Sequence, residues 1–381
     1  MKKTILLTLS HLLVAILAAV LALQLTPQAT VPTKLDQLEA LILERFIGEA
    51  DRTAIEDAAA DAMVEALGDR WSYYIPASEY GAYLEQMQNA YVGVGITIQA
   101  DPEGRGFLVL EVAAGGPAEE AGILTDDILT AVEGTSVAGI DINATRDMVR
   151  GEKGTFVQMT FLRGSEEVTF TVERRSIQTP VAEWQMLEGN VGLVKIVNFD
   201  ERCAQETIRA IEELLSQGAE ALIFDVRGNP GGYAREMVKV LDYLLPEGNL
   251  FRSVDYAGNE TLDKSDADCL DIPMVVLING DSYSAAEFFA QALREYDAGL
   301  VVGEKTCGKG YFQYTYVLND GSAVGLSVGK YYTPKGISLA EVGVTPDVEI
   351  PMDAELWADI YYGRVDPMED PHILAALDLL K

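Results

Sequence analysis

An α/β chain built on a mainly parallel sheet, with a separate small β domain inserted before it and helices at its start, is the fold class this sequence predicts. Three observations predict it. Apolar residues recur at three- and four-residue steps over Leu35–Leu67, the period switches to alternation from Tyr91, and from Val191 apolar strands alternate with amphipathic helices. With 381 residues, 49% of them hydrophobic, the chain is long enough for two or three domains that each bury a core.

In chain order, Met1, Lys2 and Lys3 precede Thr4–Leu25, a run without charged residues. As a helix it would reach ~33 Å, enough to cross a bilayer. A short basic head before an apolar run is also the form of a secretory signal. No clean A-x-A site follows in QLTPQATVPT, so residues 1–26 are expected to remain as an anchor rather than be removed. In both cases the lysines stay inside and the remainder is exported, which predicts an extracytoplasmic protein held at the membrane, or a secreted one if the signal is cleaved.

Residues 33–90 read as helical. Leu38, Leu41, Ile42 and Phe46, then Ile55, Ala59, Met63 and Leu67, make two amphipathic faces, and RWSYYIPASEYGAYLEQM leads through a turn into a third helix. No chemistry is expected of this region; such faces serve packing or dimerisation, so a homodimer is one expectation.

From Tyr91 strands predominate: GVGITIQA, a DPEGRG turn, FLVLEV, then GGPAEEAGI, DDILTAVEGTSV, a short helix around Thr145–Arg150, and the strands TFVQMTFLR and EEVTFTVER. Through Tyr91–Ile96, Gly116-Pro117-Ala118 with Ala121-Gly122, and Asp127-Ile128-Leu129 with Val132 and Gly134, residues 91–175 resemble a PDZ domain. The resemblance implies that Gly93, Val94, Gly95 and Ile96 offer backbone N–H groups to the terminal carboxylate of a peptide, which adds as an edge strand. The competing reading is a small β domain with ordinary turn glycines.

Residues 176–350 read as the α/β core. VGLVKIVNF, ALIFDV, MVVLIN and GLVVG are strands, and Cys203–Gln217, Glu236–Leu245 and Ala285–Tyr296 are helices. Residues 351–381 form a helical tail. In such folds function gathers at the carboxyl ends of the parallel strands, where DVRGNPGG and DSYS both fall.

Composition removes several classes of function. The formal charge of −32 opposes binding of nucleic acid. Cys203, Cys269 and Cys307 lie far apart without metal-binding spacing, so no metal is expected, although one pair remains able to bridge outside the cell. The two histidines are His11 in the apolar N-terminus and His372 near the end, so the body of the fold is expected to hold none. A serine nucleophile must then find another base, and lysine is the main candidate.

Ser284 follows a strand and opens a helix, where N–H groups and the helix dipole favour a developing oxyanion. Ser284-x-x-Glu287 is equally a capping box, a purely structural signal. Lys309 stands between glycines; buried without a carboxylate partner, its amine would lose its proton readily and act as a base. Gln313 lies four residues on, on the same face if the segment is one strand. The run Gly303 to Lys309 also fits G-x-x-x-x-G-K, but Gly310 replaces the magnesium-binding Ser or Thr and a strand follows where a helix should open.

Together these segments resemble the C-terminal processing peptidases, or tail-specific serine proteases, over nearly all of residues 35–350: LGDRWSYYIP, the PDZ-like segment, DVRGNPGG, SYSAAE, VVGEKTCGKGYFQ and KYYTPKGISLAEVGVTPDVEI. The resemblance implies a protease core with a crotonase/Clp-like βα sheet, no cofactor, and protein substrates with exposed C-terminal tails. It implies a serine nucleophile with its lysine base 25 residues later, which selects Ser284 over Ser282 and pairs it with Lys309. Gln313 would assist, and the N–H groups of Ala285 and Gly231 would form the oxyanion hole. Tyr283, Ala286 and Cys307 depart from the family pattern beside the site. The alternative is a non-catalytic PDZ scaffold on a protease-like fold.

Overall fold

The computed structural model describes residues 31–381, so the segment expected at 1–26 lies outside the described residues. Among those described, no helix is long and apolar enough to cross a membrane. Residues up to Ala66 form one unit and Leu67–Lys381 another. The first unit contains helices Lys34–Arg45 and Arg52–Glu65. Thr33 and Asp36 close a reciprocal capping box on the first helix, and the Asp51 carboxylate caps the second. An Arg52–Glu39 ion pair at 2.6 Å joins the two helices. Neither helix buries a residue fully, and Leu38, Leu41, Phe46 and Met63 are each more than half exposed.

The large unit is organised on a six-stranded sheet with the order Ala182–Leu187, Val191–Ile196, Ala221–Asp225, Met274–Ile278, Gly299–Gly303, Val348–Glu349. The first two strands are antiparallel and every later pairing is parallel. Alternation along the central strands sends Leu222, Phe224, Val276 and Ile278 to one face and Ile223, Val275 and Leu277 to the other. Helices Cys203–Ser216, Ala234–Leu244 and Ala285–Glu295 cover the first face with Leu214, Val240, Phe288 and Phe289. The helix Pro371–Leu379 covers the second with Ile373 and Ala376. Both faces are covered, which is why these strands read as continuous apolar runs.

A second, antiparallel sheet runs Tyr73–Ile75, Ala323–Tyr332, Gly248–Asp255, Glu260–Ser265, with Tyr311–Val317 also paired to Ala323–Tyr332. The GEKTCGKG run bridges the two sheets and leads into a strand, as the sequence predicts.

The inserted β domain has the strand order Ile96–Ala100, Phe107–Val112, Ile128–Val132, Phe156–Arg163, Glu166–Glu173, closed around Val109, Leu129, Val157 and Phe161. The chain enters it on Ala90–Gly93 and leaves on Arg175–Gln178, and these two segments pair with each other. Inbound and outbound segments therefore lie side by side, the geometry of an insertion.

Two expectations need correction. His372 belongs to the folded body and is fully buried. Its Nε2 lies 2.8 Å from the Ile350 carbonyl and its Nδ1 3.4 Å from Arg227, so both ring nitrogens are occupied away from Ser284. Lys309 and Gln313 do not share one strand: the strand begins at Tyr311, and a register shift falls between Phe312 and Gln313, which breaks the two-residue parity.

Candidate active site

Two adjacent parallel strands, Ala221–Asp225 and Met274–Ile278, end side by side and release the turns that carry DVRGNPGG and NGDSYS. The turns are laced together: Tyr283 N–H donates to the Asn229 carbonyl at 3.1 Å, and Gly228 N–H to the Asn279 side chain at 2.9 Å. Ser282 is consumed in this lacing. Its hydroxyl donates to the Val226 carbonyl at 2.7 Å and accepts from Asn279 N–H at 3.0 Å. Ser282 is thus structural, which leaves Ser284 as the serine free for chemistry.

Ser284 stands at the N-cap of the helix Ala285–Glu295 with φ 59° and ψ −124°. That backbone is rare for a residue with a Cβ and costs of order 1–3 kcal/mol, a strain found where a turn must present one side chain. Gly231 packs on it: a Cβ there would lie 2.7 Å from Ser284 Cβ and 3.0 Å from the Ala285 nitrogen, and its φ of +88° also requires glycine. The two expected oxyanion donors therefore flank the serine. Ala285 N–H, at the first helical position, has no intrahelical acceptor. Gly231 N–H is instead turned to the Asn229 side-chain oxygen at 2.8 Å.

Glu287 does more than cap. Its carboxylate is fully buried and accepts from Ser284 N–H (2.9 Å), Thr306 Oγ1 (2.5 Å), Gly308 N–H (2.7 Å) and Lys309 N–H (2.8 Å). One side chain thereby ties the serine turn to the lysine loop. Burial raises its carboxyl above the ordinary range, opposed by those four donors.

Lys309 is half-buried, and its ammonium sits 4.9 Å from the Trp71 ring centroid and 5.9 Å from that of Tyr283. Burial lowers its pKa, against the opposing pull of Cys307, Glu287 and Asp69. Gly310 behind it admits no side chain, since a Cβ would meet the Ala340 nitrogen at 2.3 Å. Among the described residues no hydrogen bond joins Ser284 to Lys309. Gln313 donates to Ser327 Oγ at 3.0 Å and to the Tyr311 carbonyl at 3.4 Å rather than to the lysine. A cleft of about 940 Å³ adjoins the lysine loop, lined by Asp69, Trp71, Gly308, Tyr311 and Ser327 among others.

Phe199, in the loop after Val191–Ile196, touches the site from behind. It donates its N–H to the Gly231 carbonyl at 2.8 Å and accepts from Tyr233 N–H at 2.7 Å. Its neighbours hold the stems of the inserted domain. Asn198 and Asn89 exchange reciprocal side-chain hydrogen bonds at 2.6 and 2.8 Å, and Arg202 reaches the Thr179 carbonyl at 2.9 Å and the Asp200 carboxylate at 2.8 Å.

Known proteins resemble this chain. The peptidase family S41 profile matches residues 190–350 and a PDZ profile matches residues 108–163. The chain is 30% identical over 373 residues to the carboxy-terminal processing protease CtpA of Bacillus subtilis, covering 93% of this chain and 80% of that one. The chain belongs to peptidase family S41, in its carboxy-terminal processing branch, and carries a PDZ domain. It is also 34% identical over 300 residues to a probable CtpA-like serine protease of Staphylococcus epidermidis, covering 78% of this chain and 60% of that longer one. A putative S41 protease structure from Bacteroides fragilis aligns with a TM-score of 0.52 at 16% identity, covering 89% of this chain and all of that one, and so shares the fold.

Within this family frame, Trp71 is the residue near the lysine that nothing in the sequence marks, and Glu287 is marked there only as a cap. Trp71 lies in the stretch read as free of chemistry, and its approach to Lys309 depends on strand Tyr73–Ile75 joining the second sheet, a long-range pairing. Glu287 carries a local signal, the capping box, which explains only one of its four hydrogen bonds. Ser284, Ala285 and Gly231 are brought together; Lys309 is joined to them through Glu287, and Gln313 is bonded elsewhere. The cysteines are unpaired, with Cys307 accepting from the Arg70 guanidinium at 3.0 Å.

Proposed function

We propose that this chain is an extracytoplasmic serine endopeptidase, held at the membrane by its N-terminal segment, that cleaves protein substrates near their C-termini. The observation that carries this reading is a burial-depressed lysine fastened through one buried carboxylate to a strained serine turn. In the proposed reaction Ser284 Oγ attacks the scissile carbonyl carbon while its proton passes to Lys309 Nζ. The N–H groups of Ala285 and Gly231 receive the oxyanion. The departing amine takes the proton from Lys309, and Lys309 then deprotonates the water that releases the acyl group from Ser284. Gln313 would steady the lysine, and no cofactor is invoked.

Two adjustments precede that chemistry. Gly231 N–H must leave Asn229, and Lys309 must exchange its aromatic contacts for Ser284. The PDZ domain would gate both by capturing the substrate's tail, and the Asn89–Asn198–Phe199–Gly231 contacts give the gate a route. The exposed apolar face of helix Lys34–Arg45 suits self-association.

Ser284→Ala and Lys309→Ala should each abolish cleavage of an unstructured protein with an apolar C-terminus; full activity in either would sink the assignment. The unjoined Ser284 and Lys309 also suit a non-catalytic scaffold, which predicts tail binding without turnover in the unaltered protein. Mass spectrometry of products from the purified ectodomain separates the two.

A further inference from the structure

In the PDZ domain a groove of about 340 Å³ lies between strand Ile96–Ala100 and helix Ile142–Val149. The strand pairs on one side only, with Phe107–Val112, so its other edge is open to an added peptide strand. Val94, Ile96, Ile98 and Val149 give the groove an apolar lining, and Arg146 of the helix and Arg150 at its C-cap add charge. No acidic side chain lines it. In a chain with 60 acidic and 28 basic residues, a groove lined by two arginines and no carboxylate stands out, with Asp147 beside it as the partner of Arg146.

The two arginines have different stations. Arg150 lies 5.3 Å from the Tyr91 ring centroid, and Tyr91 belongs to the strand that delivers Gly93–Gly95, so Arg150 marks the end where a terminal carboxylate would sit. Arg146 is one turn back along the helix, a rise of about 6 Å. Two residues of an added strand rise about 6.8 Å, and alternate side chains face the same way. A peptide ending beside Arg150 therefore brings the side chain two residues before its last one to Arg146.

We propose that this groove selects tails carrying Asp or Glu two residues before an apolar last residue, with Arg146 as the residue that reads the acid. The inference rests on the tail-capture reading above. Arg146 now pairs with Asp147 at 2.9 Å and takes a hydrogen bond acceptor in Asn143 at 3.1 Å. Both partners of that ion pair are about half exposed or more, and such surface pairs contribute roughly 0–1 kcal/mol, so a peptide carboxylate held in strand register displaces Asp147 at little cost. Glu111 also acts on the Tyr91 hydroxyl, in opposition to Arg150, but does not line the groove.

The test measures fluorescence anisotropy of labelled peptides on the full chain with Ser284→Ala, which prevents turnover. Peptides ending Glu-Ala-Leu, Gln-Ala-Leu and Lys-Ala-Leu are compared with an amidated Glu-Ala-Leu. The Glu peptide should bind about five- to tenfold tighter than the Gln peptide, with Lys weakest. Arg146→Gln should erase the Glu/Gln difference while both still bind, and Arg146→Glu should invert the order of Glu and Lys. Equal affinity for Glu and Gln peptides on the parent overturns acid selection but leaves tail capture standing if amidation weakens binding. Absence of binding by every peptide overturns both.

Discussion

Glu287, in the first turn of the helix after Ser284, holds the loop of Lys309 and acts on that lysine's proton equilibrium. The lysine loses affinity for its proton through burial, while the Glu287 carboxylate restores part of it. A base works when neutral, and a lysine whose pKa is lowered becomes neutral at lower pH than an exposed one. The sign is therefore definite: kcat/KM should rise with pH through a midpoint below the ordinary 10.5 and level off above it. Glu287→Gln removes the negative field and moves that midpoint further down. The same change places an amide where four donors converge, and each charge-assisted hydrogen bond contributes about 1.5–3 kcal/mol, so kcat should fall at least tenfold. A lower kcat with an unmoved midpoint would mean that Glu287 only holds the loops and leaves the lysine's charge alone.

At the scale of elements, the DVRGNPGG turn is gripped from below by the C-terminal helix. Arg227 binds Asp225 at 2.6 Å and Asp370 at 2.7 Å, all three buried, with the His372 ring against its guanidinium. His372 Nε2 faces the Ile350 carbonyl as donor, which leaves Nδ1 unprotonated towards Arg227. Burial first, and the arginine's charge with it, holds the pKa of His372 below its ordinary 6.5, against the carboxylates of Asp370 and Asp225. Between the folded value and 6.5 the unfolded chain binds more protons, so stability rises with pH there and is lost as pH falls below about 6.5. His372→Asn should flatten that part of the stability–pH curve, measured as urea midpoints between pH 7 and 5. An unchanged slope would remove His372 from the account. This element also shows the limit of reading the chain directly. Strands and helices of the core follow from apolar runs and periods, and the family resemblance, with its 25-residue spacing, implies Ser284 and Lys309. The partnership of Arg227 with residues 143 and 145 positions away leaves no periodic trace, and neither does the approach of Trp71 to Lys309. A bulge at Phe312/Gln313 likewise defeats any face assignment made by counting in twos.

For the molecule as a whole, the question is how an inserted domain reaches a serine that it does not touch. Both stems of the insertion meet the loop Asn198–Arg202, and that loop's Phe199 holds Gly231 by its carbonyl. Gly231 N–H points to Asn229 in this arrangement. Turning the Gly231 N–H towards Ser284 needs a change of backbone angle at Gly231, whose own carbonyl is held by Phe199, so a shift of the stems has a short route to Gly231. Asn198→Ala removes the reciprocal amide pair with Asn89 while leaving the Phe199 backbone contacts in place. If the stems govern Gly231, this variant should cleave a substrate lacking a recognised tail at a rate closer to that of a tailed one, narrowing the ratio of their kcat/KM values several-fold. Tail affinity, measured on the Ser284→Ala background, should stay within about twofold, since the groove is untouched. Loss of affinity together with an unchanged ratio would place the coupling elsewhere in the PDZ domain. The deletion of residues 92–173 supplies the limiting case: without the domain the ratio should approach one, and a retained preference for the tailed substrate would show that the core reads the tail unaided.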